Sequence, residues 1–211
     1  MKVGIIFDLD GTLWDATGQM AESWTMYLNE QGVDITLTKD MLKKEMGKVI
    51  SDIADDLIPF VEAPRRYDLL KSCGKVQDTY LIQHSGILYE DVEETFQKLS
   101  EKYELYIVSN CHKGYINTFL SVTGFGKYIT DIEEFGNTGM TKDKNIRLVV
   151  ERNGIDMPIY VGDTMGDMDS SDKAGVTFVH AAYGFGTVPP DRYHVEKISQ
   201  LPELIKTIIR E

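Results

Sequence analysis

The stretch VGIIFDLDGT, residues 3–12, decides the fold, because a short apolar run ends there abruptly in acidic residues. The run lacks polar alternation and is therefore typical of a strand buried on both faces of a parallel sheet. Asp8 and Asp10 lie two residues apart at its end, so the period of a strand points both carboxylates to the same side. Gly11 then permits a tight turn. The stretch predicts a buried first strand that presents two carboxylates at the carboxyl end of a sheet.

Two further apolar runs end in the same way. Residues 105–108 precede Ser109, and residues 159–161 precede Gly162 and Asp163. Residues 128–132 and 177–180 are predicted as additional strands, and residues 201–210 as a closing helix. Between the runs, apolar residues recur at the i, i+3, i+4 spacing of helices. Alternating strands and helices predict an α/β fold whose core is a doubly wound, Rossmann-like parallel sheet.

Residues 17–84 depart from this alternation, because they show helical periodicity and no convincing strand. Thr38 is a candidate N-cap, and Gly47 and Gly74 are candidate helix ends. A block of about 65 helical residues is too long for a simple crossover connection between strands. We therefore expect an inserted α-helical cap domain at residues 17–84 and a core domain formed by residues 1–16 and 85–211.

Composition excludes several classes of protein. The chain has 211 residues, 42% hydrophobic and 27% charged, which is typical of a globular protein. Its net charge of −12 argues against nucleic acid as a partner. No apolar run approaches the ~18 residues of a membrane span, and acidic residues interrupt the N-terminal run where a signal peptide needs apolar ones. With only two cysteines, a reduced cytoplasmic protein without membrane partners is expected.

The chemistry is predicted to gather at the carboxyl ends of the strands, where ligands bind in open α/β sheets. Asp163 and Asp167 add two carboxylates to the pair in the first strand. Four converging carboxylates repel one another unless a divalent cation is present, and oxygen ligands suit Mg²⁺. Ser109 and Asn110 offer donors for phosphoryl oxygens, and Lys142 could supply a positive charge.

These motifs resemble those of the haloacid dehalogenase superfamily of phosphohydrolases. FDLDGT at residues 7–12 is similar to the first motif of the family, and YIVSN at 106–110 to the second. The lysine of TKDKNI at 141–146 corresponds to the third, and GDTMGD at 162–167 to the fourth. The helical insertion stands where the C1 cap of the family lies. Within the superfamily, the chain looks most like the phosphoglycolate phosphatase-like branch.

The resemblance implies the roles of individual residues. Asp8 is the expected nucleophile that forms an aspartyl phosphate, and Asp10 the general acid and base. Ser109 and Lys142 are expected to hold the transferring phosphoryl group, although Lys144 remains an alternative to Lys142. The expected Mg²⁺ ligands are Asp8, the backbone carbonyl of Asp10, and Asp163, with Asp167 binding directly or through water. Candidate substrate contacts are Thr12, Asn110 and Lys48, the last in the cap.

The function predicted from the sequence is a Mg²⁺-dependent phosphomonoesterase, monomeric or homodimeric, for a small phosphorylated metabolite. A haloacid dehalogenase proper lacks the second aspartate of the first motif, so Asp10 argues against it. A phosphosugar mutase of the β-phosphoglucomutase kind stays open, because its specificity resides in the cap. A receiver-like phospho-acceptor module, which is shorter and carries its acceptor after a later strand, and a non-catalytic binding module are more distant alternatives.

Overall fold

The computed structural model describes residues 1–210. Its strands and helices alternate along the chain except in one helical segment. The strands are β1 (Val3–Phe7), β2 (Trp14–Asp15), β3 (Ile87–Leu88), β4 (Glu104–Ser109), β5 (Ile129–Glu134), β6 (Met157–Gly162), β7 (Thr177–Ala181) and β8 (Tyr193–Val195). The α-helices are α1 (Thr17–Glu30), α2 (Lys39–Glu45), α3 (Ile50–Leu57), α4 (Ala63–Gln83), α5 (Val92–Ser100), α6 (Tyr115–Thr123), α7 (Phe135–Thr138), α8 (Lys142–Asn153), α9 (Met165–Ala174) and α10 (Leu201–Arg210).

Six strands form one parallel sheet in the order β5-β4-β1-β6-β7-β8. The first strand lies between β4 and β6, so the carboxyl ends of these three strands are neighbours at one edge of the sheet. This arrangement confirms the predicted α/β class and the doubly wound parallel core. The short strand β8 was missed, because its three residues follow a Pro-Pro pair and carry no apolar run.

Both faces of the sheet are covered, which explains why its central strands are apolar throughout. In β1, Ile5 and Phe7 pack into a hydrophobic cluster with α5, α6 and α10, whereas Ile6 packs on the opposite face with α8 and α9. The alternation follows from the two-residue period of a strand. Neighbouring β4 and β6 divide their side chains in the same way. The sheet is therefore held rigidly from both sides.

The inserted segment has a hydrophobic cluster of its own, formed by residues between 20 and 73 from α1, α2, α3 and α4. Strands β2 and β3 pair antiparallel where the chain leaves the sheet region and returns to it. Of the helices within residues 1–210, none has the length and apolar character needed to cross a membrane. The division into a core of 1–16 and 85–211 and a cap of 17–84 stays a prediction.

The expected helix signals were right at Thr38 and wrong at Gly74. The Thr38 side chain accepts a hydrogen bond from the Met41 backbone nitrogen at the start of α2. Gly74, in contrast, lies buried in the interior of α4, which continues to Gln83. A Cβ atom at this position would approach the His112 ring to 2.8 Å. The glycine therefore permits close packing between α4 and the loop after β4, rather than marking a helix end.

Candidate active site

Three predicted site residues stand at the carboxyl ends of adjacent strands. Asp8 directly follows β1, Ser109 ends β4, and Asp163 directly follows β6. All three side chains are buried. Gly11 has a φ of +87°, and a Cβ atom there would collide with the Asp163 carboxylate. The turn predicted after Asp10 is therefore present, and a glycine is needed both for its backbone and for the space beside Asp163.

Lys142 is the only cation in direct contact with this group among residues 1–210. Its Nζ lies 2.7 Å from Asp8 Oδ1 and 2.6 Å from Asp167 Oδ1. Burial alone would lower the pKa of Lys142, but the Asp167 and Asp8 carboxylates outweigh burial and raise it well above its usual value. The ammonium is therefore charged at neutral pH. Lys144, two residues further along α8, is exposed to solvent, so the geometry favours Lys142.

Asp167 is held at both carboxylate oxygens. Oδ1 accepts a hydrogen bond from Lys142. Oδ2 accepts hydrogen bonds from the backbone nitrogen and the hydroxyl of Thr164, which caps α9. Burial raises the pKa of Asp167, but the Lys142 ammonium and the Thr164 hydrogen bonds outweigh it and lower the pKa. A carboxylate with this many donors orients its neighbours. Direct and water-mediated binding of a metal by Asp167 both stay predictions.

Asp163 is positioned by donors that the sequence motif does not include. Its Oδ2 accepts a 2.7 Å hydrogen bond from the backbone nitrogen of Phe185, and Thr12 Oγ1 lies 3.4 Å from Oδ1. Thr12 is fully buried and does not reach the cavity, so the geometry favours orientation of Asp163 over contact with substrate. Phe185 belongs to none of the four sequence motifs. Phe185 and Asp163 are 22 positions apart in the sequence, and no periodic pattern predicts a hydrogen bond between them.

The donor set suits a divalent cation. One carboxylate oxygen each from Asp8, Asp163 and Asp167 lies within 4.8 Å of the others. Burial, followed by repulsion from Asp167 and Asp8, raises the pKa of Asp163 well above its usual value. Burial likewise raises the pKa of Asp8 to about 6, despite the nearby Lys142. When the three buried carboxylates are ionised, the single Lys142 ammonium leaves part of their negative charge uncompensated. A divalent cation would offset it, and oxygen-only ligands match the preference of Mg²⁺.

Asp10 lies apart from this cluster. Its Oδ1 accepts a 2.8 Å hydrogen bond from the hydroxyl of Tyr115, the first residue of α6. Burial raises the pKa of Asp10 to about 7, although the Tyr115 hydrogen bond acts in the opposite direction. A carboxyl group that titrates near neutrality can both donate and accept a proton at physiological pH. Tyr115 was not identified from the sequence, because 105 residues separate the two partners.

A cavity of about 50 Å³ lies between the sheet edge and the helical insertion. Asp8, Asp10, Ser109 and Asn110 line one end of it. Asn110 Nδ2 donates a 2.8 Å hydrogen bond to the Gly47 carbonyl in the insertion, so it joins the two parts of the chain as well as facing the cavity.

Lys48 also lines the cavity, but its ammonium group is paired with Glu45 and Asp56. His112, to which the sequence assigned no role, lines the wall and pairs with Asp78 of α4 at 2.9 Å.

Comparison with known proteins now identifies the family. A profile of haloacid dehalogenase-like hydrolases matches residues 5–181. The chain belongs to this family. The predicted resemblance is thereby confirmed, and the carboxylates described above are those of a haloacid dehalogenase-like hydrolase.

Relatives narrow the class within the family. The phosphoglycolate phosphatase of Shigella boydii serotype 4 (strain Sb227) is 26% identical over 213 residues, which covers 86% of this chain and 82% of that protein. A haloacid dehalogenase-like hydrolase from Streptococcus pneumoniae has a TM-score of 0.78 at 19% identity and covers 97% of this chain and 98% of its own. A predicted phosphoglycolate phosphatase from Haemophilus somnus 129pt has a TM-score of 0.77 at 19% identity, covering 95% and 96%. The structures agree in fold, and family and curated relatives together identify this haloacid dehalogenase-like hydrolase as a phosphatase.

The hydrogen bond from Tyr115 to Asp10 yields a first prediction for this phosphatase. The bond stabilises the ionised carboxylate, so Tyr115→Phe raises the pKa of Asp10. If Asp10 must be ionised to accept a proton from water, the acidic limb of the kcat–pH profile moves upward by about one pH unit. Steady-state kcat between about pH 5 and 9 measures this limb. Tyr128→Phe, in the same hydrophobic cluster but without a bond to Asp10, is the control, and an unshifted limb in Tyr115→Phe contradicts the role.

Proposed function

We propose that the protein is a Mg²⁺-dependent phosphomonoester hydrolase that acts on a small phosphorylated metabolite through an aspartyl-phosphate intermediate. The observation that carries the proposal is the convergence of Asp8, Asp10 and Ser109 on one cavity, with the Lys142 ammonium 2.7 Å from Asp8. Similarity to phosphoglycolate phosphatases supports it. We also propose that the protein acts in the cytoplasm without nucleic acid or membrane as a partner; its net charge of −12 argues against nucleic acid.

In the first step, a carboxylate oxygen of Asp8 forms a bond to phosphorus while the bond from phosphorus to the leaving oxygen breaks. Asp10 gives its proton to that oxygen, so the product leaves as a neutral alcohol. In the second step, the ionised Asp10 takes a proton from water as the water oxygen attacks phosphorus. The aspartyl bond then breaks, inorganic phosphate leaves, and Asp8 is regenerated.

Positive charge must accompany the phosphoryl group into this acidic site. Lys142 supplies one charge between Asp8 and Asp167. When bound, Mg²⁺ would supply further positive charge that offsets the charge of the transferring group, and Asp8, Asp163 and the backbone carbonyl of Asp10 would hold it. Asp167 orients Lys142, and Thr12 and Phe185 orient Asp163. The Ser109 hydroxyl would donate a hydrogen bond to a phosphoryl oxygen.

Phosphate release from a panel of esters tests the proposal. The panel contains phosphoglycolate, sugar phosphates, nucleoside monophosphates and p-nitrophenyl phosphate, each with Mg²⁺ and with chelator. We expect release that falls at least about 100-fold when Mg²⁺ is chelated, because the buried carboxylates then repel the anionic substrate. Transfer of the phosphoryl group between sugar positions without net phosphate release would instead indicate a mutase. No release from any ester by folded, Mg²⁺-loaded protein would contradict the proposal.

A further inference from the structure

The cavity has two chemically different ends. At the core end, Asp8, Asp10 and Ser109 face the position of the phosphoryl group in the proposed reaction. The leaving group of the ester therefore lies toward the helical insertion. Five apolar side chains line that end: Met20, Trp24, Met46, Ile50 and Ile53. The leaving group is consequently surrounded mainly by apolar side chains, with the Gln77 amide, which accepts a hydrogen bond from Trp24 Nε1, as a neutral polar neighbour.

Two charged residues, Glu45 and Lys48, line the same end. Lys48 Nζ is 2.8 Å from Glu45 Oε2 and 2.6 Å from Asp56 Oδ2, and Glu45 is only 7% exposed. Hydrogen bonds to Asp56 and Glu45 raise the pKa of Lys48, so the ammonium stays protonated. Two carboxylates and one ammonium give this group of three residues, the Glu45 cluster, a net charge of −1.

The other basic side chains near the cavity also face carboxylates. His112 Nε2 lies 2.9 Å from Asp78 Oδ2, and Lys142 lies between Asp8 and Asp167 at the core end. Among the cavity-lining residues of the described chain, Lys48 and His112 are thus the basic side chains, and both already face a carboxylate. A second anionic group on the substrate would find no unpaired cation at the leaving-group end, where the neutral Gln77 amide is the remaining polar side chain of the insertion.

We infer that the enzyme hydrolyses phosphomonoesters of small uncharged alcohols and that the Glu45 cluster selects against leaving groups that carry a carboxylate. This inference rests on the proposed function and names the substrate class of the same site. A carboxylate there would meet the net negative charge of the cluster, and beside the buried Glu45 carboxylate repulsion is stronger than in bulk solvent. An uncharged alcohol avoids this repulsion and contacts the apolar side chains instead.

Two esters with the same two-carbon skeleton test the inference. Phosphoglycolate carries a carboxylate, and 2-hydroxyethyl phosphate carries a hydroxyl group in its place. With Mg²⁺ present, we expect kcat/KM for 2-hydroxyethyl phosphate to exceed that for phosphoglycolate by at least about tenfold, ~1.4 kcal/mol. p-Nitrophenyl phosphate, assayed in parallel, reports whether the preparation hydrolyses phosphomonoesters at all.

Glu45→Gln removes one negative charge and brings the cluster to zero. The ratio of kcat/KM for phosphoglycolate to that for 2-hydroxyethyl phosphate should then rise about tenfold. Asp56→Asn makes the same charge change at a side chain that is 51% exposed, so a smaller rise is expected, and it remains informative if Glu45→Gln does not fold. Glu203→Gln is the matched control, because Glu203 also pairs with a lysine three residues later, Lys206 of α10. It should leave the ratio unchanged within about twofold.

The outcomes separate the two proposals. If p-nitrophenyl phosphate is hydrolysed but wild-type enzyme prefers phosphoglycolate, the inference is overturned and the proposed function stands. The inference is equally overturned if neither Glu45→Gln nor Asp56→Asn changes the ratio between the two esters. If none of the three esters is hydrolysed, the inference is overturned, and the proposed function fails with it when no other ester of the panel releases phosphate.

Discussion

Asp8→Asn should lower kcat for every phosphomonoester by at least about 10⁴-fold, ~5.5 kcal/mol in the barrier, while the protein remains folded. An amide nitrogen or oxygen does not form the phosphoryl linkage that a carboxylate forms. The amide oxygen can still accept the hydrogen bond that Lys142 now donates to Asp8. The substitution therefore removes the chemistry and keeps the contact.

The same variant has an expected effect on stability. Burial raises the pKa of Asp8 to about 6 in the folded protein, above the ordinary value near 3.8. A carboxyl group whose pKa is raised on folding contributes stability when protonated, and this contribution is lost as the pH rises through the folded pKa. At pH 7 the ionised Asp8 is thus unfavourable, and a neutral asparagine avoids that cost. Without divalent cations, we expect the thermal midpoint of Asp8→Asn to equal or exceed that of the wild type.

Two measurements check the prediction: kcat with p-nitrophenyl phosphate and thermal unfolding at pH 7 in chelator. Asp172→Asn, whose carboxylate pairs with Arg192 at the surface, controls for the loss of an aspartate elsewhere. Residual activity within about tenfold of wild type would refute the nucleophile assignment. A thermal midpoint far below wild type would show instead that Asp8 is needed for folding.

The sequence predicted the sheet and its terminal carboxylates because their signals are local. One apolar run is followed directly by Asp8, and another is followed by Gly162 and then Asp163. Each of these short stretches therefore predicts both a strand and a site residue. Ser109 and Lys142 were found from the order of motifs, and the structure brings both to the same edge. Boundaries of the central strands consequently differ from expectation by at most two residues.

Contacts across the chain could not be predicted in this way. Tyr115 reaches Asp10 over 105 residues, and Asn110 reaches Gly47 over 63. The first pair depends on how α6 packs against the carboxyl ends of the strands and the second on how the helical insertion does, and no periodicity within these segments predicts either. Gly74 shows the difficulty: a helix-breaking residue was taken as a helix end, whereas its real constraint is the His112 ring beside it.

Lys142→Met should lower kcat about 10³-fold and destabilise the fold by about 3 kcal/mol or more. Lys142 is 3% exposed and is the ammonium that faces both Asp8 and Asp167. Methionine fills similar space without charge, so the variant isolates the ammonium group. Removal of one partner from a buried pair leaves the other charges uncompensated, which is more costly than the net value of the pair.

The destabilisation should depend on pH with a definite sign. Without the ammonium, the pKa of both Asp8 and Asp167 rises, whereas carboxyl groups of the unfolded chain titrate near pH 4. Between about pH 4 and 7, the folded variant then binds more protons than the unfolded chain, so its free energy of unfolding increases as the pH falls. The deficit relative to wild type is therefore larger at about pH 8 than at about pH 5. Urea denaturation at the two pH values, in chelator, measures it.

Lys144→Met is the matched control, because Lys144 lies two residues away on α8 and is exposed to solvent. It should change kcat by less than about twofold and leave stability unaltered, since an exposed charge interacts mainly with water. The reverse pattern, loss of activity in Lys144→Met with Lys142→Met active, would transfer the phosphoryl-binding role to Lys144. Loss of stability in Lys142→Met that does not depend on pH would show that packing, rather than charge compensation among the buried carboxylates, is the contribution of this side chain.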